Sequence, residues 1–394
     1  MRSAKATIFI PLFAVGYGTN VATPLFLIYE DRLSLSTWTL TALFAIYPIG
    51  RAPALVFSGP TSDVLGRRRV MVPGVVLSGL ASLIMMLGPN SVAMLYVGRF
   101  LLGVVSGIVF VVASAWMQEV GSDDPLLTSR QLGVVIYAGF GAGPMVSGVI
   151  GQWGPSPLIL PYLTHLVLIA VGLVAIMRSP ETVVRDPSRR IRPNLGIPAE
   201  SAKDFFSVVV PTAFGVFGMP SLVFGLFPVL LKPAMPGIAV LISGSLGFLA
   251  MSSIVGAQAL VGKVGPYRSA PIALLLGTCG TTLGVIAFGT GKWGLILPAA
   301  VLMGNASGLA MTSGLRFVDI ICRPEDRGAL NGSFYAVAYA GMMMPLIVST
   351  IKRSVGSFTP VLGAVALLTF VLMLWLLRST AMLRQRHQSA NVAR

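Results

Sequence analysis

Long apolar runs recur along the whole chain and are separated by short polar segments. Each run holds about twenty residues, enough for an α-helix to cross the hydrocarbon core of a bilayer. We therefore predict twelve transmembrane helices. They lie at 7–28, 37–57, 70–88, 91–117, 131–151, 158–178, 205–228, 237–262, 269–288, 293–317, 329–351 and 357–377.

Composition supports a membrane protein. Hydrophobic residues make up 55% of the chain, charged residues 10%, and the mean hydropathy is +0.84. About a quarter of the residues of a soluble domain are charged, so this chain has too few charged residues to cover the surface of a soluble protein. We predict an all-α polytopic membrane protein. The charged N-terminus and its apolar run are similar to a signal peptide, but the run continues to about Ile28, so we expect a first helix that is not cleaved.

The basic residues predict the orientation. An even number of helices places both termini on one side of the membrane. If that side is the cytoplasm, 20 of the 28 Lys and Arg are cytoplasmic, five are in outer loops and three are within helices. This is the positive-inside bias. The net charge of +15 therefore reflects topology rather than nucleic-acid binding, and we expect both termini on the cytoplasmic side of a bacterial cytoplasmic membrane.

The polar segment 178–204 divides the helices six and six, and the two halves are related. LLGVVSGI at 101–108 is similar to LMGNASGL at 302–309, and Pro144 and Pro345 share the same offset of 201. Such a repeat is typical of secondary transporters. We predict an N-terminal bundle at 1–178, a cytoplasmic linker at 179–203, a C-terminal bundle at 204–378 and a basic tail at 379–394.

One short segment, GPTSDVLGRRRV, concentrates charge between the second and third apolar runs. It resembles the signature of the major facilitator superfamily at this place, G-x-x-x-D-R-x-G-R-R, although Val64 replaces an Arg. A degraded copy, VGKVGPYRS at 261–269, lies in the second half. The resemblance implies two pseudo-symmetric six-helix halves. It also implies a conformational latch, to which we assign Gly59, Asp63, Gly66, Arg67, Arg68, Glu119 and Arg130.

The fifth span carries GFGAGPMVSG at 139–148, which resembles the drug-proton antiporter motif G-x-x-x-G-P-x-x-G-G. Small residues recur there on one helix face, as in close helix packing, and a proline permits a bend. Tight helix packing and shaping of the sealed end of a cavity are the two alternative roles of this motif. The resemblance implies export. The motif residues are Gly139, Gly143, Pro144, Ser147 and Gly148.

Two arginines fall within predicted spans. VGRFLLGVVSG at 97–107 resembles the fourth-span motif of the family, which implies a role for Arg99 in proton coupling; capping of backbone carbonyls is the alternative. Arg51 lies about six residues from the inner end of the second predicted span and either extends to the interface or faces a cavity. Other cavity candidates, for which interhelical hydrogen bonding is the alternative, are Tyr17, Asn20, Asn305, Tyr335 and Tyr339.

Three functions are compared. The first is proton-coupled efflux of small, mostly apolar compounds, although none of the 13 acidic residues lies in the middle of a predicted span. The second is a facilitator or importer of a small metabolite such as an organic anion. The third is a membrane enzyme or receptor, and for this function the chain lacks any HEXXH, GxSxG or Cys/His pattern.

We predict no enzyme, no cofactor and no metal. The expected partners are a small-molecule substrate, protons and the lipid bilayer, and we expect a monomer.

Overall fold

The computed structural model describes residues 2–120, 124–184 and 195–392, which form helices and short connections without a β-strand. This confirms the predicted all-α class. The long and short helices, in chain order, are α1 (Arg2–Leu33), α2 (Thr37–Leu65), α3 (Arg67–Met86), α4 (Val92–Val120), α5 (Pro125–Trp153), α6 (Leu160–Met177), α7 (Ala199–Asp204), α8 (Val210–Gly225), α9 (Phe227–Leu231), α10 (Ala239–Val264), α11 (Pro266–Thr290), α12 (Ile296–Ile321), α13 (Arg327–Gly341), α14 (Met344–Val355) and α15 (Phe358–Val392).

Eleven helical stretches of the described chain are long and apolar enough to cross a membrane, and a bent helix pair makes a twelfth if it is one span. That pair is α13 and α14, which meet at 42° where a single eleventh span was predicted. The bend has a physical cause. Pro345 lacks a backbone N–H, and its ring is crowded by the carbonyl four residues earlier, at Gly341.

The chain divides into two compact units. The first holds the described residues before 185 together with Met235–Met251, and therefore contains α1 to α6 and the first half of α10. Within it, α1 packs against α4, α5 and α6, while α2 packs along α4 and α3 packs against α4 and α6. Most side chains of α1 are buried, which makes it the central helix of this unit.

The second unit holds 195–234 and the described residues from Ser252 onward. In this unit α11 packs against α12 and α15, and α8 packs against α12 and α13. Its seventh span is irregular: a π-helical turn at Phe205–Val209 joins α7 to α8, and the helix breaks again at Leu226. Pro211 follows the π-helical turn and cannot donate a regular backbone hydrogen bond.

The charged segment between the second and third spans is mostly helical, whereas the apolar pattern placed the span ends at 57 and 70. α2 continues to Leu65 and α3 starts at Arg67, so only Gly66, with φ of 100°, separates them. A residue with a Cβ rarely adopts this conformation. Gly265, with φ of 84°, separates α10 from α11 in the same way, so the degraded copy retains the turn.

Candidate functional site

A buried arginine organises the end of the first unit where α2 meets α3. Arg67 is 5% exposed. Its Nη1 lies 2.6 Å from Asp63 Oδ1, and its Nη2 lies 2.6 Å from Glu119 Oε1 at the end of α4. Nη1 also donates a hydrogen bond of 2.5 Å to Ser62 Oγ. Asp63 and Arg67 are neighbours on one helical ridge, one turn apart, and Glu119 joins this pair to α4.

The segment after α6 folds back onto this cluster. The carboxylate of Glu181 accepts hydrogen bonds of 2.9 Å from the backbone N–H groups of Arg67 and Arg68. These are the first N–H groups of α3, which have no acceptor within the helix, and a carboxylate at a helix N-terminus also opposes the helix dipole. Trp116 Nε1 donates to the Pro180 carbonyl at 3.0 Å, which fixes the segment on α4.

Sequence reasoning missed Glu181 and its neighbour Thr182, whose hydroxyl donates to Glu119. They lie in a polar segment with no helical spacing toward the cluster, so no local pattern indicates this contact. We name Asp63, Arg67, Glu119 and Glu181 the α2–α3 charge cluster. It lies entirely within the first unit.

Other residues assigned to the latch lie outside its centre. Arg130 is exposed near the start of α5 and joins no ion pair of the cluster among the described residues. Gly59 is half-buried, and an added Cβ would make only ordinary contact with Val111 at 3.5 Å. Val64 is buried, so the arginine of the family signature has been replaced by a packed apolar side chain.

The fifth-span motif presents two packed faces. On one face, a Cβ at Gly139 would lie 2.7 Å from the carbonyl oxygen of Phe13, and a Cβ at Gly143 would overlap the backbone of Tyr17. Ser147 Oγ donates to the Val21 carbonyl at 2.6 Å. These three motif positions lie one turn apart, so α5 approaches α1 at backbone distance along this whole face.

The other face of the motif meets the first half of α10. A Cβ at Gly148 would lie 3.0 Å from the Cα of Gly244, and a Cβ at Gly247 would lie 2.8 Å from Cγ of Pro144. Sequence reasoning did not find this second contact, although SGSLG at 243–247 carries the small residues that it needs. Near the end of α5, Gln152 Nε2 donates to the Gly237 carbonyl at 2.7 Å.

Arg99 is fully buried, seven residues into α4. Its Nη1 donates to the Thr19 carbonyl at 2.8 Å and its Nε to the Leu43 carbonyl at 3.3 Å. Nη2 is buried and has no hydrogen-bond acceptor among the described residues. The guanidinium carbon lies 5.2 to 5.7 Å from the centroids of three aromatic rings, those of Phe26, Phe44 and Tyr47.

Arg51 lies at the middle of α2, fourteen residues from Thr37 and fourteen from Leu65. α2 continues beyond the predicted end of the second span to Leu65, and Arg51 is 8% exposed. Its side chain stays inside the unit: Nη1 donates to Tyr47 Oη at 2.6 Å, and the guanidinium carbon lies 4.9 Å from the centroid of the Phe110 ring.

Two of the cavity candidates in α1 make contacts with neighbouring helices. The hydroxyls of Tyr17 and Thr164 are 2.8 Å apart, and the Tyr17 ring stacks on His165 at 6.3 Å between centroids. Asn20 Nδ2 donates to the Phe140 carbonyl at 3.4 Å. Tyr17 therefore links α1 to α6, and Asn20 links α1 to α5.

The cavity candidates of the second unit form an aromatic stack. The ring of Tyr339 is buried and lies 4.7 Å from that of Phe217 on α8, and Tyr335 lies 6.5 Å from Tyr339. Asn305 is apart from this stack and donates to the Val301 carbonyl of its own helix at 2.9 Å. The described residues contain no group of three His, Cys, Asp or Glu that could hold a metal ion.

Comparison with known proteins gives the same class of protein. Residues 8–345 match the model of the Major Facilitator Superfamily. The class B tetracycline resistance protein of Escherichia coli is 24% identical over 325 residues, which are 79% of this chain and 78% of that protein. Multidrug resistance protein MdtL of Escherichia coli O45:K1 (strain S88 / ExPEC) is 36% identical over 91 residues, 23% of each chain.

Among solved structures, a crystal structure of a POT family transporter in complex with 5-aminolevulinic acid superposes with a TM-score of 0.79 at 11% identity. The match covers 96% of each chain, and at this identity it establishes the fold alone. Family model, relatives and fold are all those of transporters rather than enzymes. The chain therefore belongs to the Major Facilitator Superfamily and is a multi-pass membrane transporter of small molecules.

Proposed function

We propose that this transporter exports small, mostly apolar compounds across the cytoplasmic membrane in exchange for protons. Both termini lie in the cytoplasm, and transport proceeds by alternating access, in which the substrate site opens to one side at a time. The observation that carries the proposal is the geometry of α5. The small residues that resemble the drug-proton antiporter motif, Gly139, Gly143 and Ser147, all lie at backbone distance from α1.

Relatives named for resistance support export. The tetracycline resistance protein matches over most of both chains, and the multidrug resistance protein matches over a shorter segment. Their names describe those proteins, and we extend export to this chain because it also carries the fifth-span motif. The relatives do not identify this chain's substrate.

The α2–α3 charge cluster supports a conformational latch. Arg67 is buried but Asp63 and Glu119 are partly exposed, so separating it from both would leave a buried charge unpaired at a cost on the order of 1 to 3 kcal/mol, below that of a fully buried pair. A barrier of this size holds one conformation but can be overcome during a transport cycle. Glu181 orders the first turn of α3 and thereby the backbone that carries Arg67.

Arg99 supports proton coupling. The acidic residues of the described chain lie toward helix ends or in connections, so α4 offers a buried cation at Arg99 rather than a carboxylate. A fully buried arginine with one free nitrogen is expensive in a membrane bundle and is retained for function more often than for packing. In this proposal the Arg99 guanidinium changes its hydrogen-bond acceptors when the bundle binds or releases a proton.

The second candidate function, import or facilitated diffusion of an organic anion, is favoured by one observation. Arg51 places a positive charge at the middle of α2. A buried arginine in the first unit would attract an anionic metabolite whichever way the transporter works, so the direction of transport separates the two candidates.

Drug susceptibility tests export. An efflux-deficient bacterium expressing the chain is challenged with structurally unrelated antibiotics and dyes, tetracycline included. We expect resistance to some of them, and loss of that resistance with Asp63→Asn or a protonophore. Arg69→Gln is the matched control, because Arg69 is exposed beside the cluster and should keep resistance. Good expression in the membrane without resistance to any compound would contradict multidrug export.

A further inference from the structure

Arginines at the end of the second unit where α15 leaves its apolar run are of two kinds. One kind is paired with carboxylates: Arg323 with Glu200 at 2.5 Å, Arg327 with Asp319 at 2.5 Å and Arg386 with Asp204 at 2.7 Å. The other kind is exposed and joins no ion pair among the described residues; Arg268, Arg378 and Arg384 belong to it. These three lie on α11 and α15, two neighbouring helices that contain no acidic residue. The adjoining surface of α11 and α15 therefore carries an uncompensated positive charge.

The charged end of α15 is docked on the second unit. The helix continues beyond its apolar run, and Leu383 in this part is 1% exposed. On one edge, Arg386 pairs with Asp204 at the end of α7. On the other edge, Arg384 lies within electrostatic reach of Tyr267 at the start of α11. Contacts on both edges and a buried side chain between them make this end of α15 a fixed surface.

Exposed apolar side chains lead to the arginines on both helices. The exposed stripe on α15 is Val371, Leu374 and Arg378, and the exposed stripe on α11 is Arg268, Ile272 and Leu275. Positions three, four and seven apart share one face of a helix. In a membrane-spanning helix such an apolar face meets the lipid chains, and an arginine at its end extends to the headgroups. Each of the two stripes therefore ends in a cation at the level of the headgroups.

Aromatic side chains mark the same level. Trp375 is 54% exposed beside Arg378, and its Nε1 donates to the Ser207 carbonyl at 2.9 Å. Phe206, next to that carbonyl, is 60% exposed. Tryptophan is enriched where the hydrocarbon meets the headgroups. Arg384 follows Arg378 by six residues, about 9 Å along the helix. The headgroup layer is about 5 to 8 Å thick on each side of a bilayer, so both guanidinium groups reach it.

We propose that Arg268, Arg378 and Arg384 bind the headgroup of an anionic phospholipid, whose acyl chains lie along the exposed stripes of α11 and α15. Guanidinium binds phosphate oxygens through paired charge-assisted hydrogen bonds. Because no carboxylate pairs with these arginines, a lipid with a net negative charge matches them better than a zwitterionic lipid. The site goes beyond the proposed export, since neither the substrate nor the proton takes part in it.

Native mass spectrometry of the purified full-length protein in detergent tests the site. The protein is titrated with dioleoylphosphatidylglycerol, which is anionic, and in parallel with dioleoylphosphatidylcholine, which has the same chains and no net charge. We expect the wild type to retain the anionic lipid more strongly. Arg378→Gln combined with Arg384→Gln should weaken binding of the anionic lipid about tenfold and leave binding of the zwitterionic lipid unchanged.

The matched control is Arg323→Gln combined with Arg327→Gln. It removes the same charge from the same end of the unit, but from arginines that are already paired with carboxylates. This variant should keep the wild-type affinity for the anionic lipid. Glycerol phosphate, which has no acyl chains, should not displace the bound lipid, because the apolar stripes of α11 and α15 hold the chains.

Equal retention of both lipids by the wild type would overturn the proposal, as would wild-type affinity in the variant of Arg378 and Arg384. Displacement by glycerol phosphate would also overturn it, since the surface would then bind a soluble phosphate. If that variant does not elute as a folded protein, the wild type is titrated at high salt, where its preference for the anionic lipid should fall. A preference that persists refutes a site based on charge. Lipid retention is measured without substrate or proton gradient, so the outcome is independent of export.

Discussion

At the scale of single residues, the α2–α3 turn shows how one glycine supports a charge cluster. Gly66 adopts φ of 100°, which turns the chain so that α3 starts immediately after α2. The same turn leaves the first N–H groups of α3 open to Glu181. A side chain at this position would be strained, and it would also crowd the Glu181 carboxylate.

Alanine substitution separates these two effects. Gly66→Ala should destabilise the protein by about 1 to 3 kcal/mol through backbone strain, with a further loss because its Cβ would lie 3.0 Å from Glu181 Oε2. Gly265→Ala is the matched control, since φ is 84° there and no atom lies within 4 Å of an added Cβ. Thermal unfolding of both purified variants should show the larger loss for Gly66→Ala. Equal losses would mean that the Glu181 contact contributes nothing.

At the scale of helices, α5 is held between two neighbours by residues without bulky side chains. Gly143 contacts the Tyr17 backbone of α1, while Gly148 contacts Gly244 of α10. Interfaces of this kind depend on close backbone approach, because lipid offers no hydrophobic drive for helix association. Pro144 lies on the face toward α10 and removes one backbone hydrogen bond.

Alanine substitutions at glycines distinguish the packed face of α5 from its less crowded positions. Gly143→Ala should separate α5 from α1 and cost on the order of 1 to 3 kcal/mol, because the clash is with backbone that cannot change rotamer. Gly141→Ala is the control, since its Cβ would make ordinary contacts of 3.4 Å. Thermal stability in detergent and export activity should both fall for the first variant only. Loss in both variants would show that α5 tolerates no added volume anywhere.

The helices could be predicted from the sequence because apolar runs and packing periodicity are local signals. The bend at Met342–Met343 could not be placed, since Pro345 restricts the backbone but the direction of the following helix depends on packing. The second helix continues eight residues beyond the predicted end of its span at 57, to Leu65, because polar residues can continue a helix beyond its apolar run. Glu181 was missed because its contact spans more than one hundred residues of sequence and has no periodic signature.

At the scale of the whole molecule, the distribution of charge is the main physical constraint. Basic residues concentrate in the predicted cytoplasmic segments, while the acids lie at helix ends or in connections. Among the described residues of the first unit, the buried arginines are Arg51 in α2, Arg99 in α4 and Arg67, which is paired with two carboxylates where α2 meets α3.

The most direct test of this account is substrate-induced proton release from everted membrane vesicles containing the chain. Respiration acidifies the vesicle lumen, and acridine orange reports the pH gradient. We expect any compound to which the cells became resistant to discharge the gradient, because each substrate molecule entering the lumen would exchange for a proton. Arg99→Gln should abolish the response and Arg69→Gln should retain it. A gradient that persists after every compound, with the chain present in the vesicles, would contradict proton-coupled export.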